Sequence, residues 1–136
     1  MRTLLVVLAI MTLSTLVAQN QDVTIHITSK SDKIFGKDID GNKAISFYLE
    51  GLNDELAVTR FTEKILKNDF VIDFDIIPAT FNGKRKATVV FKPTVRTLYF
   101  QSLLQNLGVT KIVIDNQEIP VTGLVDWAEK KKEEKN

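Results

Sequence analysis

Leu49-Glu50-Gly51-Leu52-Asn53-Asp54-Glu55-Leu56-Ala57 joins two kinds of periodicity. Before it, Ile45, Phe47 and Leu49 fall on one side of an alternating run, and Ser46, Tyr48 and Glu50 on the other. That is the pattern of a strand with one buried face. After it, Val58, Phe61 and Ile65 recur at i, i+3 and i+7, with Ala57 and Leu66 beside them. That is the stripe of an amphipathic helix. Gly51 lets the backbone bend between the two without a Cβ clash. Asn53 is the predicted N-cap, and Asp54 and Glu55 follow where carboxylates suit the helix dipole. Lys64 and Lys67 lie in the last turn and Asn68 ends it.

The same alternation of periods continues downstream. Phe70, Ile72, Phe74 and Ile76 alternate with Val71, Asp73 and Asp75, which predicts a strand that Pro78 ends. Asn82-Gly83 is a hairpin signal, flanked by Lys84, Arg85 and Lys86. Ala87, Val89 and Phe91 form one face of the returning strand. Thr94, after Pro93, is the predicted cap of a second helix whose stripe is Phe100, Leu103, Leu104 and Leu107. Gly108 then stops the helix as a C′ glycine. Thr110 to Asp115 is a strand, and a tight turn over Asp115 to Glu118 leads to a short Ile119–Val121 strand.

Residues 43–115 therefore spell strand, helix, strand, strand, helix, strand. The expected class is α+β: a ferredoxin-like βαββαβ sandwich with both helices on one sheet face. The predicted core is Ile45, Phe47, Leu49, Val58, Phe61, Ile65, Ile72, Phe74, Val89, Phe91, Phe100, Leu103, Leu104, Leu107, Ile112 and Ile114. Burial of each large side chain is worth roughly 1.5–3 kcal/mol.

Two appendages complete the chain. Val23, Ile25 and Ile27 alternate with Thr24, His26 and Thr28, an extra N-terminal strand expected as an added edge strand or an arm. Leu124, Trp127 and Ala128 share one face of a short C-terminal helix, before a charged KKKEEKN tail expected to be solvated and disordered. The expected division is 1–18 leader, 19–42 N-terminal strand and linker, 43–121 domain, and 122–136 C-terminal helix and tail.

The leader is MRTLLVVLAIMTLSTLVA, with Arg2 at its start, an apolar run from Leu4 to Met11 and a small residue at Ala18. This is a secretory signal peptide pattern, and its apolar run is too short for the roughly 20 residues that span a bilayer. The protein is expected to be secreted or periplasmic, with no stable membrane insertion after the leader is removed. Formal net charge is +1, which supplies no field to draw nucleic acid. The chain has no cysteine, which removes disulfides, thiolate metal sites, a thiol nucleophile and a lipid-anchored cysteine together.

Leu49-Glu50-Gly51, the Val58-x-x-Phe61 stripe and Lys86-Ala87-Thr88-Val89-Val90-Phe91-x-Pro93 together resemble the heavy-metal-associated (HMA) domain family of copper-chaperone-like modules. The resemblance covers about half of the chain. Gly51 stands at the family's junction glycine and Leu52 at its methionine position. The two metal-binding cysteines fall on Asp54 and Ala57, and the loop from Pro78 to Lys86 is longer than the family's. The resemblance implies the family's fold without its thiolate site: Cu(I) selects soft ligands, which one carboxylate is not. The leader, ending Val-Ala-Gln-Asn, also resembles those of secreted Bacteroidetes proteins.

Other chemistry is thin. Asp38-Ile-Asp40-Gly41-Asn42 has a faint calcium-loop look, but the twelfth residue from Asp38 is Leu49, where an EF-hand needs a glutamate. An Asp-Gly turn is the plainer reading. His26 is the single histidine and reads as a surface residue. Asp73 and Asp75 point the same way on one strand and read as a solvated face before they read as a cation site. Lys84-Arg85-Lys86 reads as a basic hairpin turn. RNA-reading sheets need stacking aromatics, and the open face offers only Tyr48. Trp127 is a possible partner anchor, though such a residue more often docks its helix on its own domain.

The sheet face away from the helices is the candidate binding face. It is expected to carry Ser46, Tyr48, Glu50, Val71, Asp73, Asp75, Thr88, Val90, Lys92, Lys111 and Val113. The function expected is an exported, non-enzymatic binding module acting through contacts with an envelope or secreted protein, without a cofactor. The alternative is a metal-handling protein that holds a cation through Asp54 or the Asp73/Asp75 pair.

Overall fold

The computed structural model describes residues 22–28 and 34–135. The predicted leader lies outside the described residues. Strand β1 is Val23–Ile27, β2 Gly36–Lys37, β3 Lys43–Glu50, β4 Val71–Phe81, β5 Lys84–Phe91, β6 Val109–Ile114 and β7 Gln117–Pro120; helix α1 is Glu55–Leu66, α2 Thr97–Asn106 and α3 Leu124–Lys135. A 3-10 turn over Val121–Gly123 joins β7 to α3, so the last strand ends one residue before the predicted Val121.

The strands form one seven-stranded sheet in the order β4-β5-β3-β1-β6-β7, with β2 paired to the start of β3. The mixed α+β class is as expected, but β1 is neither an edge strand nor an arm. It lies inside the sheet, antiparallel to β3 (Ile25 opposite Leu49) and parallel to β6 (Ile25 opposite Ile112). Its inward side is the reason: Val23, Ile25 and Ile27 are all buried. An interior position also gives the strand a hydrogen-bonding neighbour along both edges, which an arm lacks.

The three helices of the described residues pack on one face of this sheet. Phe100 of α2 meets Phe47 of β3 and Phe91 of β5, with ring centroids 6.3 and 5.7 Å apart. Phe61 of α1 meets Phe74 of β4 at 5.9 Å. Phe74 lies opposite Val89, which lies opposite Ile45, so these contacts share a side. Leu124, Trp127 and Ala128 of α3 join the same core. The inclined and edge-on ring arrangements suit aromatic quadrupoles.

Several local expectations are corrected. Pro78 does not end β4, which runs to Phe81; the proline sits where the β4–β5 register shifts between Ile76 and Thr80, so no ladder hydrogen bond is asked of it. Ile72 is 48% exposed, not core. The β4–β5 register shifts between Val71 and Asp73, so Ile72 is an extra residue and Val71 turns inward in its place. A bulge of this kind breaks two-residue alternation. It also moves Phe70 out to 42% exposure, where its ring rests on Tyr99 at 5.2 Å. The α2 cap is Arg96 rather than Thr94, because an extra turn (Val95 N–H to the Lys92 carbonyl, 3.2 Å) first carries Val95 into the core. The charged tail continues α3 to Lys135, supported by a Lys131–Glu134 ion pair at i, i+3. Its start is held by Val125 N–H donating to Gln101 Oε1 at 2.9 Å.

Candidate functional site

At the junction, Asp54 rather than Asn53 is the helix N-cap. Its Oδ1 accepts the Ala57 N–H at 2.7 Å. The two positions at which the resemblance places thiolates are therefore joined by a capping hydrogen bond, which satisfies a donor that a metal-ligating pair leaves to its surroundings. Leu52 is buried, and its carbonyl accepts Arg85 Nε–H at 3.1 Å. Arg85 Nη1 donates to the Pro78 carbonyl as well.

Among the described residues Arg85 is the one buried charged side chain, 7% exposed. It ties the junction loop to the distal end of β4 and is not part of a basic turn facing solvent. The signal for this lies in parity: Arg85 falls on the same side of β5 as Ala87, Val89 and Phe91. Arg85→Met is expected to cost about 2 kcal/mol or more, because the buried Leu52 carbonyl and the part-buried Pro78 carbonyl both lose a charged donor. Urea unfolding measures it, and a cost under about 0.5 kcal/mol contradicts the clamp.

The helix-free face gathers residues from most of the sheet. One cross-strand row reads Lys86, Tyr48, His26, Val113 and Glu118. The next reads Lys84, Glu50, Thr24 and Lys111. On the other side, Asp73 stands opposite Val90 and Asp75 opposite Thr88. Ser46 and Thr88 hydroxyls meet at 2.9 Å. All six candidate residues, Tyr48, Glu50, Asp73, Asp75, Val90 and Lys111, thus stand on one face. Val71, which was expected there, lies on the core side through the bulge.

Because β1 is interior, Thr24 and His26 sit inside this face between Glu50 and Lys111. His26 Nε2 and Glu50 Oε2 are 2.8 Å apart, and Lys111 Nζ and Glu118 Oε1 are 3.3 Å apart. Both are partly exposed pairs, which typically contribute at most about 1 kcal/mol. Comparison with protein-family models, curated proteins and solved structures found no match.

The remaining candidates resolve as follows. Asp38 Oδ1 accepts the N–H groups of Asp40 and Asn42 at 2.9 and 2.8 Å, and Oδ2 accepts from the Asn42 side chain at 3.3 Å. This closes the β2–β3 turn on itself, as Asp does in Asx turns. Among the described residues no group of three or more His, Asp or Glu is arranged to hold a metal ion. Trp127 is 7% exposed and docks α3 on the domain's own core, so it is not available as a partner anchor. Burial, and secondarily the Asp69 carboxylate, pushes the Tyr99 phenol above its ordinary value. Among the described residues no helix is long and apolar enough to cross a membrane.

Proposed function

We propose that this chain is an exported, non-enzymatic binding module that acts through protein contacts on the helix-free sheet face. The observation that carries the reading is the gathering of Tyr48, Glu50, Asp73, Asp75, Val90 and Lys111 from four strands onto one uncovered surface. The frame beneath it is read as HMA-like and ferredoxin-like with one strand inserted. Leaving out β1, the strands of residues 43–114 follow β4-β5-β3-β6, the order of a split βαββαβ unit.

A photo-crosslinking side chain placed at Tyr48 or Val90 tests the contact surface. The expected result is a discrete protein adduct in the native envelope or secreted fraction, absent when the same group replaces Glu63 on α1. Equal labelling from both faces, or none from Tyr48, overturns the reading.

The lost-metal part of the reading has its own test. The unmodified protein is expected to bind Cu(I) no better than a surface carboxylate does. Asp54→Cys with Ala57→Cys places two thiols at the start of α1, where a helix N-terminus favours thiolate. The double variant is expected to acquire tight Cu(I) binding by competition titration, at a stability cost of about 1 kcal/mol from the lost cap. A folded double variant that binds no copper removes the HMA-like reading of the junction.

A further inference from the structure

Strand β4 forms one edge of the sheet and pairs with β5 along one side only. It is eleven residues long, against four for β7 at the opposite edge. Native edges are usually short or covered, because a long one offers an unpaired row of N–H and C=O groups. Ile72, Ile77 and Phe81 along it are 48%, 45% and 70% exposed.

Two register shifts bracket a regular stretch from Asp73 to Ile76, and Pro78 beyond it lacks an N–H. Within that stretch Asp73 and Asp75 point to the open face and Phe74 and Ile76 to the helix side. The β5 residues directly opposite the two carboxylates are Val90 and Thr88, with no base at either place, and Asp73 Oδ1 accepts the Phe74 N–H at 2.9 Å, a bond that an incoming strand replaces.

We infer that the outer edge of β4 accepts an extended peptide as an added strand, with Lys or Arg opposite Asp73 and Asp75 and apolar side chains between. The inference rests on the proposed binding function and names the kind of partner. Backbone hydrogen bonds supply affinity in such strand addition, and alternate side chains supply specificity. The basic positions neutralise two carboxylates that have no base directly opposite them on β5. The intervening apolar positions extend the side on which Phe74 is buried and Ile76 is half-buried.

A second copy of this chain does not fit the same edge. Antiparallel β4–β4 pairing centred on Phe74 sets Asp73 against Asp75, and pairing centred on Asp75 sets that carboxylate against its own copy; like charges directly opposite are destabilising. The bulges and Pro78 confine pairing to a short stretch. The devices that keep copies apart thereby select the sign of the strand that joins.

The test is fluorescence anisotropy of the purified chain with a labelled peptide alternating Lys with Val and Thr. Comparison peptides carry Glu in place of Lys, or N-methyl groups on alternate amides of one edge. The basic peptide is expected to bind about tenfold more tightly than the acidic one. N-methylation of the pairing edge is expected to abolish binding, and Asp73→Lys with Asp75→Lys to reverse the charge preference. Both aspartates are exposed, and circular dichroism checks that the variant is folded. Equal binding of both peptides, or binding indifferent to N-methylation, overturns the inference, as does dimerisation of the chain through β4 in sedimentation. If Tyr48 crosslinks a partner while the basic peptide fails to bind, the strand-addition inference falls and the binding-module reading stands.

Discussion

Gly51→Ala is expected to destabilise the protein by about 3 kcal/mol or more, the sum of a backbone term and a contact term. The backbone term arises because Gly51 has φ +109°, a region that costs a residue with a Cβ about 1–3 kcal/mol. The contact term comes from β1. A Cβ built on Gly51 lies 2.3 Å from the Asp22 carbonyl oxygen and 3.3 Å from the Val23 Cα. Those are backbone atoms at the entry to β1, so no side chain can swing aside to relieve them. Shifting them disturbs pairing with β3 and β6 together. Gly83 serves as the control: its φ is +75°, but a Cβ there meets nothing within 4 Å. Gly83→Ala is expected to cost only the backbone term, about 1–2 kcal/mol. Equal costs for the two variants in urea unfolding contradict the close approach of β1 to the junction.

Phe74→Ala is expected to cost about 3–5 kcal/mol, as for other buried aromatic truncations. Phe74 is 7% exposed, and its ring packs on Phe61 of α1, so the variant loosens α1 from the sheet. Ile72→Ala, two residues away on the same strand, is expected to change stability by less than about 0.5 kcal/mol, as surface substitutions do. Unbroken alternation makes the two residues equivalent; the bulge makes them opposite. Comparable costs for the two variants place the bulge elsewhere.

Most of the open face is legible in residue order. Parity alone puts Tyr48 and Glu50 opposite Phe47 and Leu49, Val90 opposite Val89 and Phe91, and Lys111 opposite Ile112. Asp73 and Asp75 keep their shared side because the bulge precedes both of them. Thr24 and His26 are the members that parity misses, since strand periodicity reports which side chains are buried and not which strands are adjacent. Arg85 is hidden by its neighbours: between two lysines it reads as a charged turn, while its parity marks it as inward-facing. The partner of a buried guanidinium is a backbone carbonyl, and carbonyls leave no trace in residue identity.

What the sequence by itself determined is the longer elements and, bulge apart, the side each presents; the two-residue strand β2 and the run of β4 past Pro78 to Phe81 were not legible in it. The helix stripes, the β3 and β5 faces, the Gly108 stop at φ +85° and the absence of thiols follow from residue type and spacing, which are local. Asp54 lies within the expected first turn, but its capping role needs the Ala57 N–H in place. Tertiary structure alone decided that β1 enters the sheet between β3 and β6, that Ile72 is extruded while Val71 turns in, and that the long strand β4 is left at an edge. Each of these depends on which backbone groups find partners far along the chain. Backbone hydrogen-bonding groups are nearly identical in every residue, so the choice among them is made by the packing of the whole sheet.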